Sequence, residues 1–304
     1  MLTFIKIGIL IAILVAVLTA TIFAMKNKKF CLVKSVGLSF LLLAVVGCCF
    51  VTTGCKKNYS VLNNKSYVMH ASGSVKVNGK VYDYTNTIDN FQSCYDAGFR
   101  YFEFDFMLSS DNKIIGQHDY RYIPEYSDQN PIDYQTFKNY KILGELEPVV
   151  VENLVEKLKV CPEAYIVFDY KNPSEYIKFF DEFVLELQEL NALNMLNRFV
   201  PQCYSNEMFR YMKNHYDFEQ YIYTNYISYY TADQMIEYFK DEEKIKFLTM
   251  WWWTDANECL KLKNEGFNIL VHTVNSCDDM LNLVKEKQVD GFYTDNTNVY
   301  ELIK

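Results

Sequence analysis

No two cysteines in this chain stand at the spacing of a thiolate metal site, no glycine-rich loop of the G-x-G-x-x-G or Walker type is present, and no basic run occurs beyond residue 65. Each absence removes a class of function. Without paired cysteines, zinc held by thiolates is excluded. Without the glycine-rich loop, a nucleotide cradled on a doubly wound sheet loses its support. The formal charge of −8, with no basic stripe to offset it, argues against nucleic acid as a partner. Of nine cysteines, Cys31, Cys48, Cys49 and Cys55 fall in the first 55 residues, and Cys94, Cys161, Cys203, Cys259 and Cys277 are scattered beyond. Five is odd and the spacing is irregular, so these are expected to be small core residues rather than a disulfide framework. Internal repeats and low-complexity segments are also missing.

What is present divides the chain. Residues 2–25 are almost wholly apolar with Lys6 as the only charge, and residues 35–53 form a second uncharged run. Each is about the length that spans a bilayer. Lys26, Lys28, Lys29 and Lys34 lie between them, and a short lysine-rich loop stays in the cytoplasm. Two N-terminal transmembrane helices in residues 1–55, with the remainder at the outer face of the cell membrane, are therefore expected. A cleaved signal has one modest apolar core, which two long runs do not match. Val45-Val46-Gly47-Cys48 and Thr52-Thr53-Gly54-Cys55 each place a small residue before a cysteine, as a lipoprotein signal does, and this option also exports the domain. Residues 56–65 are polar and asparagine-rich, a linker. Residues 66–304 are enough for one large domain with a buried core.

In that domain, short runs rich in Val, Ile, Phe and Tyr recur at 67–70, 101–107, 164–170, 199–202, 220–223, 247–251, 269–273 and 291–294. Helical periodicity separates several of them. Residues 87–97 place Ile88, Phe91 and Tyr95 on one face, residues 148–160 group Val151, Leu154, Val155 and Leu158, and Pro173 opens a helix through Leu190. Asp255 and Ser276 have the chemistry of N-caps. Eight strands alternating with helices over ~240 residues predict an α/β fold closed as a (β/α)8 TIM barrel.

Polar residues then gather at the C-terminal ends of predicted strands, where such barrels carry their chemistry. His70 ends the first. Glu103 and Asp105 lie two apart in the second and so share a face. His118-Asp119 follows shortly after. Asp169 and Lys171 end the third, Thr273 and Asn275 follow the seventh, and Thr294 and Asp295 end the eighth. Two imidazoles bracketing alternating carboxylates are the parts of a metal-assisted phosphodiesterase: one ring attacks or accepts a proton, the other donates one, and the acids hold a divalent cation on the phosphate. Taken singly, each residue has a blander role, a satisfied core histidine or a loop cap. The joint order carries the inference.

That order resembles the glycerophosphodiester phosphodiesterase family, in the superfamily of phospholipase-C-like phosphodiesterases. Its pattern runs through a histidine-arginine-glycine segment, E-N-T, G-x-x-x-x-E-x-D, a D-G turn, H-D, E-x-K, W-T-V-N and G-x-D-G-x-x-T-D. Here the counterparts are His70-Ala71-Ser72-Gly73, Thr85-Asn86-Thr87, Gly98 to Glu103-Phe104-Asp105, Asp111-Asn112, His118-Asp119, Asp169-Tyr170-Lys171, His272-Thr273-Val274-Asn275 and Asp290-Gly291-Phe292-Tyr293-Thr294-Asp295. The resemblance implies hydrolysis of a glycerophosphodiester bond by a His70/His118 pair. Glu103, Asp105 and Asp169 would hold Ca²⁺ or Mg²⁺, and Lys171 and Asn275 would meet the phosphate. It further implies a phosphodiester substrate such as a small glycerophosphodiester, a phospholipid head group or a teichoic-acid-like polymer at a membrane. Four positions depart from the pattern: Ala71 for arginine, Thr85 for glutamate, Asp169 for glutamate and His272 for tryptophan. An aspartate as third acid also occurs in sphingomyelinase D-like enzymes. The alternatives are thus a phospholipase D-like lyase that forms a cyclic phosphate, or a catalytically degenerate binding barrel. Trp251-Trp252-Trp253, at the end of the sixth strand, offers rings that could pack on a sugar, an acyl chain or a choline-like head group.

Overall fold

The computed structural model describes residues 66–302. The two expected transmembrane helices in residues 1–55 and the linker 56–65 lie outside the described residues. Among the described residues, no helix is long and apolar enough to cross a membrane.

Eight parallel strands close on themselves: β1 (Tyr67–Met69), β4 (Tyr101–Leu108), β7 (Tyr165–Tyr170), β8 (Phe199–Cys203), β9 (Tyr221–Thr224), β10 (Ile245–Trp251), β11 (Ile269–His272) and β12 (Gly291–Thr294). Each pairs with the next, and β12 returns to β1, whose other side pairs with β4. The expected barrel is the observed one, and all eight expected runs supply its strands. Outer helices follow the strands: α1 (Ile88–Asp96), α3 (Val151–Val160), α4 (Tyr176–Glu189), α5 (Asn206–His215), α6 (Ala232–Phe239), α7 (Ala256–Asn264) and α8 (Cys277–Lys287). Asp255 and Ser276 cap α7 and α8 as their chemistry predicts, accepting from the backbone N–H of Asn257 and Asp279. Pro173 opens a short 3₁₀ turn before α4 rather than the helix itself.

Three short features lie outside the eight barrel strands and their helices. A hairpin joins β2 (Val75–Val77) to β3 (Lys80–Tyr82). Then β5 (Ile114–Gly116) and β6 (Val149–Val150) extend the sheet antiparallel from the end of β4, with α2 (Tyr134–Asn139) in the loop between them. A separate apolar cluster including Ile115, Ile123, Ile132 and Phe137 packs this side lobe.

Alternation along the strands builds the site. In β4, Phe102, Phe104 and Phe106 point outward into the helix layer, so Tyr101, Glu103 and Asp105 point into the barrel. The lower interior is plugged by Val68, Tyr101, Val167, Val200, Ile222, Leu270 and Tyr293. Above that plug the same inward column on each strand turns polar. The helix layer absorbs much of the chain's aromatic content. Phe168 alone packs against the rings of Phe106, Phe179, Phe180, Phe183 and Phe199 at centroid distances of 4.6–5.9 Å. Cys94, Cys161, Cys203 and Cys259 are free and buried, as small core residues should be, and Cys277 is free and half-buried.

Candidate active site

Register puts the acids together. Asp105 on β4 and Asp169 on β7 are paired Cα partners on neighbouring parallel strands, and Glu103 lies one inward position deeper. One ligand oxygen from each of Glu103, Asp105 and Asp169 falls within a 4.8 Å circle. Glu103 and Asp105 are fully buried and Asp169 is half-buried, and carboxylates so gathered cannot all ionise without counter-charge.

Lys171 supplies part of that charge. Its Nζ stands 2.5 Å from Asp105 Oδ1 and 2.6 Å from Asp169 Oδ2. Burial opposes the ammonium, but Asp169, Asp105 and Glu103 together raise its pKa. Asp169 is held ionised although burial works against it, because Lys171 and a hydrogen bond from the Tyr204 hydroxyl favour the anion. Asn86 clamps Asp105 from the other side: its Nδ2 donates to Oδ2 at 2.9 Å and its Oδ1 accepts from the Asp105 backbone N at 3.0 Å. Glu103 is left short. Burial and the charge of Asp105 push its carboxyl well above the usual range. Oε2 accepts from the Ala71 backbone N at 2.6 Å, while Oε1 is buried with no hydrogen-bond partner among the described residues.

This geometry fits a hard divalent cation. The donors are all carboxylate oxygens, one is orphaned, and the buried acids outnumber the single lysine among them. Glu103, Asp105 and Asp169 would hold it, and it would polarise a phosphoryl oxygen.

The backbone after β1 is bent to serve Glu103. Ala71, Ser72 and Gly73 have φ of +46°, +64° and +89°. Two non-glycine residues in the left-handed region are a local strain, and that turn aims the Ala71 N–H at the carboxylate. At Gly73 the backbone conformation itself calls for glycine.

His70 opens this turn and is 5% exposed. Its Nδ1 lies 2.7 Å from Asp295 Oδ1. Burial disfavours the imidazolium, but Asp295, Glu103 and Asp105 outweigh it and lift the pKa to about 9. Asp295 is held below its ordinary value against the effect of burial, chiefly by the hydrogen bond with His70. Asn275, expected to meet phosphate, has its amide engaged elsewhere: Nδ2 donates to Asp295 Oδ2 at 2.8 Å, and Oδ1 accepts from the Asp295 backbone N and the Thr294 hydroxyl.

His118 reaches the same rim from the loop after β5. Its Nδ1 is 2.9 Å from Asp119 Oδ2, and Arg121 donates to both oxygens of that carboxylate. The two histidines do not touch. Tyr84 stands between them, edge-on to His70 at 4.8 Å and to His118 at 4.7 Å. His272 packs on His70 at 4.7 Å; burial and the neighbouring His70 charge drop its pKa to about 3, so it is a neutral ring.

The structure thus gathers His70, Glu103, Asp105, Asp169 and Lys171 in one cluster, with His118 on its edge and Asn275 behind Asp295. Sequence reasoning missed Tyr84 and Tyr204 altogether, and named Asn86 and Asp295 as positions in the family pattern without the partners they hold, Asp105 and His70. The hairpin that delivers Tyr84 and Asn86 did carry a signal. Asn78-Gly79 sits between two strand-like triplets, the dipeptide favoured in tight hairpins, and both residues have positive φ (+50° and +82°).

The glycerophosphoryl diester phosphodiesterase family model matches residues 71–299. Among solved structures, the chain is similar to a glycerophosphodiester phosphodiesterase from Parabacteroides distasonis, with 17% identity, a TM-score of 0.59, and coverage of 80% of this chain and 97% of that one. It is also similar to one from Thermotoga maritima, with 17% identity, a TM-score of 0.56 and coverage of 72% and 92%. An Oleispira antarctica phosphodiesterase, solved in complex with the product sn-glycerol-3-phosphate, matches with 13% identity, a TM-score of 0.57 and coverage of 81% and 98%. No curated protein matches.

Proposed function

The chain belongs to the glycerophosphoryl diester phosphodiesterase family and is a phosphoric diester hydrolase, and from that premise we propose that it cleaves a glycerophosphodiester with His70 and His118 as its proton-transfer pair. One observation carries the proposal. Each imidazole is fixed through Nδ1 by its own carboxylate, Asp295 or Asp119, leaving Nε2 free, and the two flank a buried acid cluster. A carboxylate on Nδ1 orients each ring. His70, charged up to about pH 9, is the acid that protonates the leaving alcohol. His118, more open to solvent, takes a proton from the attacking water, so that one water is consumed as the phosphomonoester and the alcohol form. Lys171 adds positive potential beside the phosphate. Glu103, Asp105 and Asp169 would hold the divalent cation, Ca²⁺ or Mg²⁺, which would supply charge stabilisation at the phosphoryl oxygens.

The product of sn-glycerol-3-phosphate type seen in the Oleispira relative supports a glycerol-based diester here. Residues 1–55 are proposed as the anchor that keeps the barrel at the outer face of a membrane, where lipid head groups or teichoic-acid-like polymers would be within reach. Their composition is what supports this.

Hydrolysis of a panel of glycerophosphodiesters, followed by phosphorus NMR, tests the reading. Wild type should release a phosphomonoester, and His118→Ala and a chelator should each abolish it. Turnover that survives both changes refutes the assignment. A cyclic phosphate as final product would instead establish the lyase, and cation binding without turnover across the panel the degenerate barrel.

A further inference from the structure

A cleft of about 440 Å³ lies between the loop after β10 and helix α8. Trp252, Trp253 and Asn275 line it, and Asp279 and Glu286 stand on the α8 wall. The two indoles are 51% and 58% exposed, an uncommon cost for adjacent tryptophans in a folded chain. Their planes meet at 86° with centroids 5.4 Å apart, two walls of a corner.

The corner is built rather than loose. Trp253 stacks on Trp251 at 4.5 Å, and Trp251 stacks on Tyr226 at 4.2 Å. Lys287, 9% exposed, donates from Nζ to the carbonyls of Trp252 and Thr254, both at 2.6 Å, and so ties the tryptophan loop to α8. Its ammonium is spent on those carbonyls. Neither the Asp279 nor the Glu286 carboxylate has an ion-pair or hydrogen-bond partner among the described residues. Orthogonal aromatic faces with uncompensated carboxylates nearby attract one kind of ligand: a large, weakly hydrated cation. A neutral sugar would stack on the rings but gain nothing from the two exposed carboxylates. A second phosphate would be repelled.

The cleft also shares one residue with the reaction centre. Asn275, which lines it, donates to Asp295, the partner of His70.

We propose that this cleft is a quaternary ammonium site, formed by Trp252 and Trp253 with Asp279 and Glu286, that takes the trimethylammonium head of the substrate's leaving alcohol. That the cation is part of a substrate rests on the proposed hydrolysis; the cation site itself does not.

The chain's only three tryptophans are Trp251, Trp252 and Trp253, so intrinsic tryptophan fluorescence reports this loop alone. Choline titrated into the full chain in non-ionic detergent should change the emission saturably. The neutral isostere 3,3-dimethyl-1-butanol should bind at least about tenfold more weakly. Asp279→Asn with Glu286→Gln should erase that difference without altering the circular dichroism. Trp253→Leu should weaken choline as well. Equal response to choline and the isostere, response to glucose but not choline, or no response, each overturns the proposal.

In turnover, the preference for glycerophosphocholine over glycerophosphoglycerol should fall about tenfold in the double variant. Unchanged preference would remove the cleft from the substrate's path. Glycerophosphocholine in one arm and phosphatidylcholine vesicles in another identify the source of the head group. Should no diester be cleaved while choline still titrates the tryptophans, the proposed hydrolysis fails and the cation site stands.

Discussion

Asp295→Asn is the sharpest test of the His70 arrangement. Asp295 accepts twice, from His70 at Oδ1 and from Asn275 at Oδ2. An amide can accept through one atom only, so its NH₂ must confront either the His70 Nδ1–H or the Asn275 amide. Either the ring changes tautomer or the floor of the site is pried open. The charge is lost as well. The gap between the ordinary 6.5 and about 9 at His70 corresponds to about 3 kcal/mol in favour of the imidazolium, the net of burial against Asp295, Glu103 and Asp105. Glu103 and Asp105 remain in the variant, so part of that preference persists. The alkaline limb of kcat/KM, set near pH 9 by loss of the His70 proton, should move down by roughly one pH unit or more. At neutral pH the rate should drop on the order of 10²-fold, the lower end of what a positioned acid contributes. Stability follows the same sign. Between pH 6.5 and about 9 the folded chain holds a proton that the unfolded chain releases, so wild-type stability falls as pH rises through that window, and the variant should show a flatter profile. The assay is a pH–rate profile on a glycerophosphodiester, paired with melting curves at pH 6 and 10. A variant with an unmoved alkaline limb and near-wild-type rate would refute the role assigned to the pair.

Three further outcomes are expected. Lys171→Met leaves Asp105 and Asp169 without their ammonium, which should cost roughly 3–5 kcal/mol, on the order of 10 °C in melting temperature, in chelator. Ca²⁺ or Mg²⁺ should restore more of that loss than it adds to wild type, and an equal cation response in the two proteins would contradict a cation site on these acids. Tyr84→Phe keeps the ring between His70 and His118 and should retain kcat/KM within about threefold, whereas Tyr84→Ala should lose tenfold or more through misplacement. Identical kinetics for the two variants would show that the spacing does not matter. Burial lifts the carboxyl of Glu186, which accepts from the Ile114 backbone N at 2.9 Å, to about 7. The folded state therefore binds the extra proton between pH 4.5 and about 7, and stability is lost as pH rises through that window. Glu186→Gln should melt higher than wild type at pH 8 and lose this advantage at pH 5, as read by calorimetry.

The sequence made the barrel legible because a buried parallel strand writes its own signature. Each of the eight runs is short and apolar, and each polar intrusion falls where the inward column rises above the plug. Period-two spacing was sufficient to place Glu103 with Asp105 and Asp169 with Lys171, since alternation is a local rule. It was not sufficient for pairings made by closure. His70 and Asp295 are 225 positions apart and become neighbours only because β12 returns to β1. Tyr204 reaches Asp169, and Asn86 reaches Asp105, by the same kind of long-range geometry. The departures at Ala71 and Thr85 gain a different meaning once folded. A side chain at 71 contributes nothing that its backbone does not: the left-handed turn presents the Ala71 N–H to Glu103. Next to Thr85, Asn86 is the residue that clamps Asp105. The chain has thus kept the electrostatic frame around its acids while changing the side chains that would face a substrate. A family pattern reports the frame; the ligand must be sought in what the pattern omits, Tyr84 between the histidines and the tryptophan corner beside them.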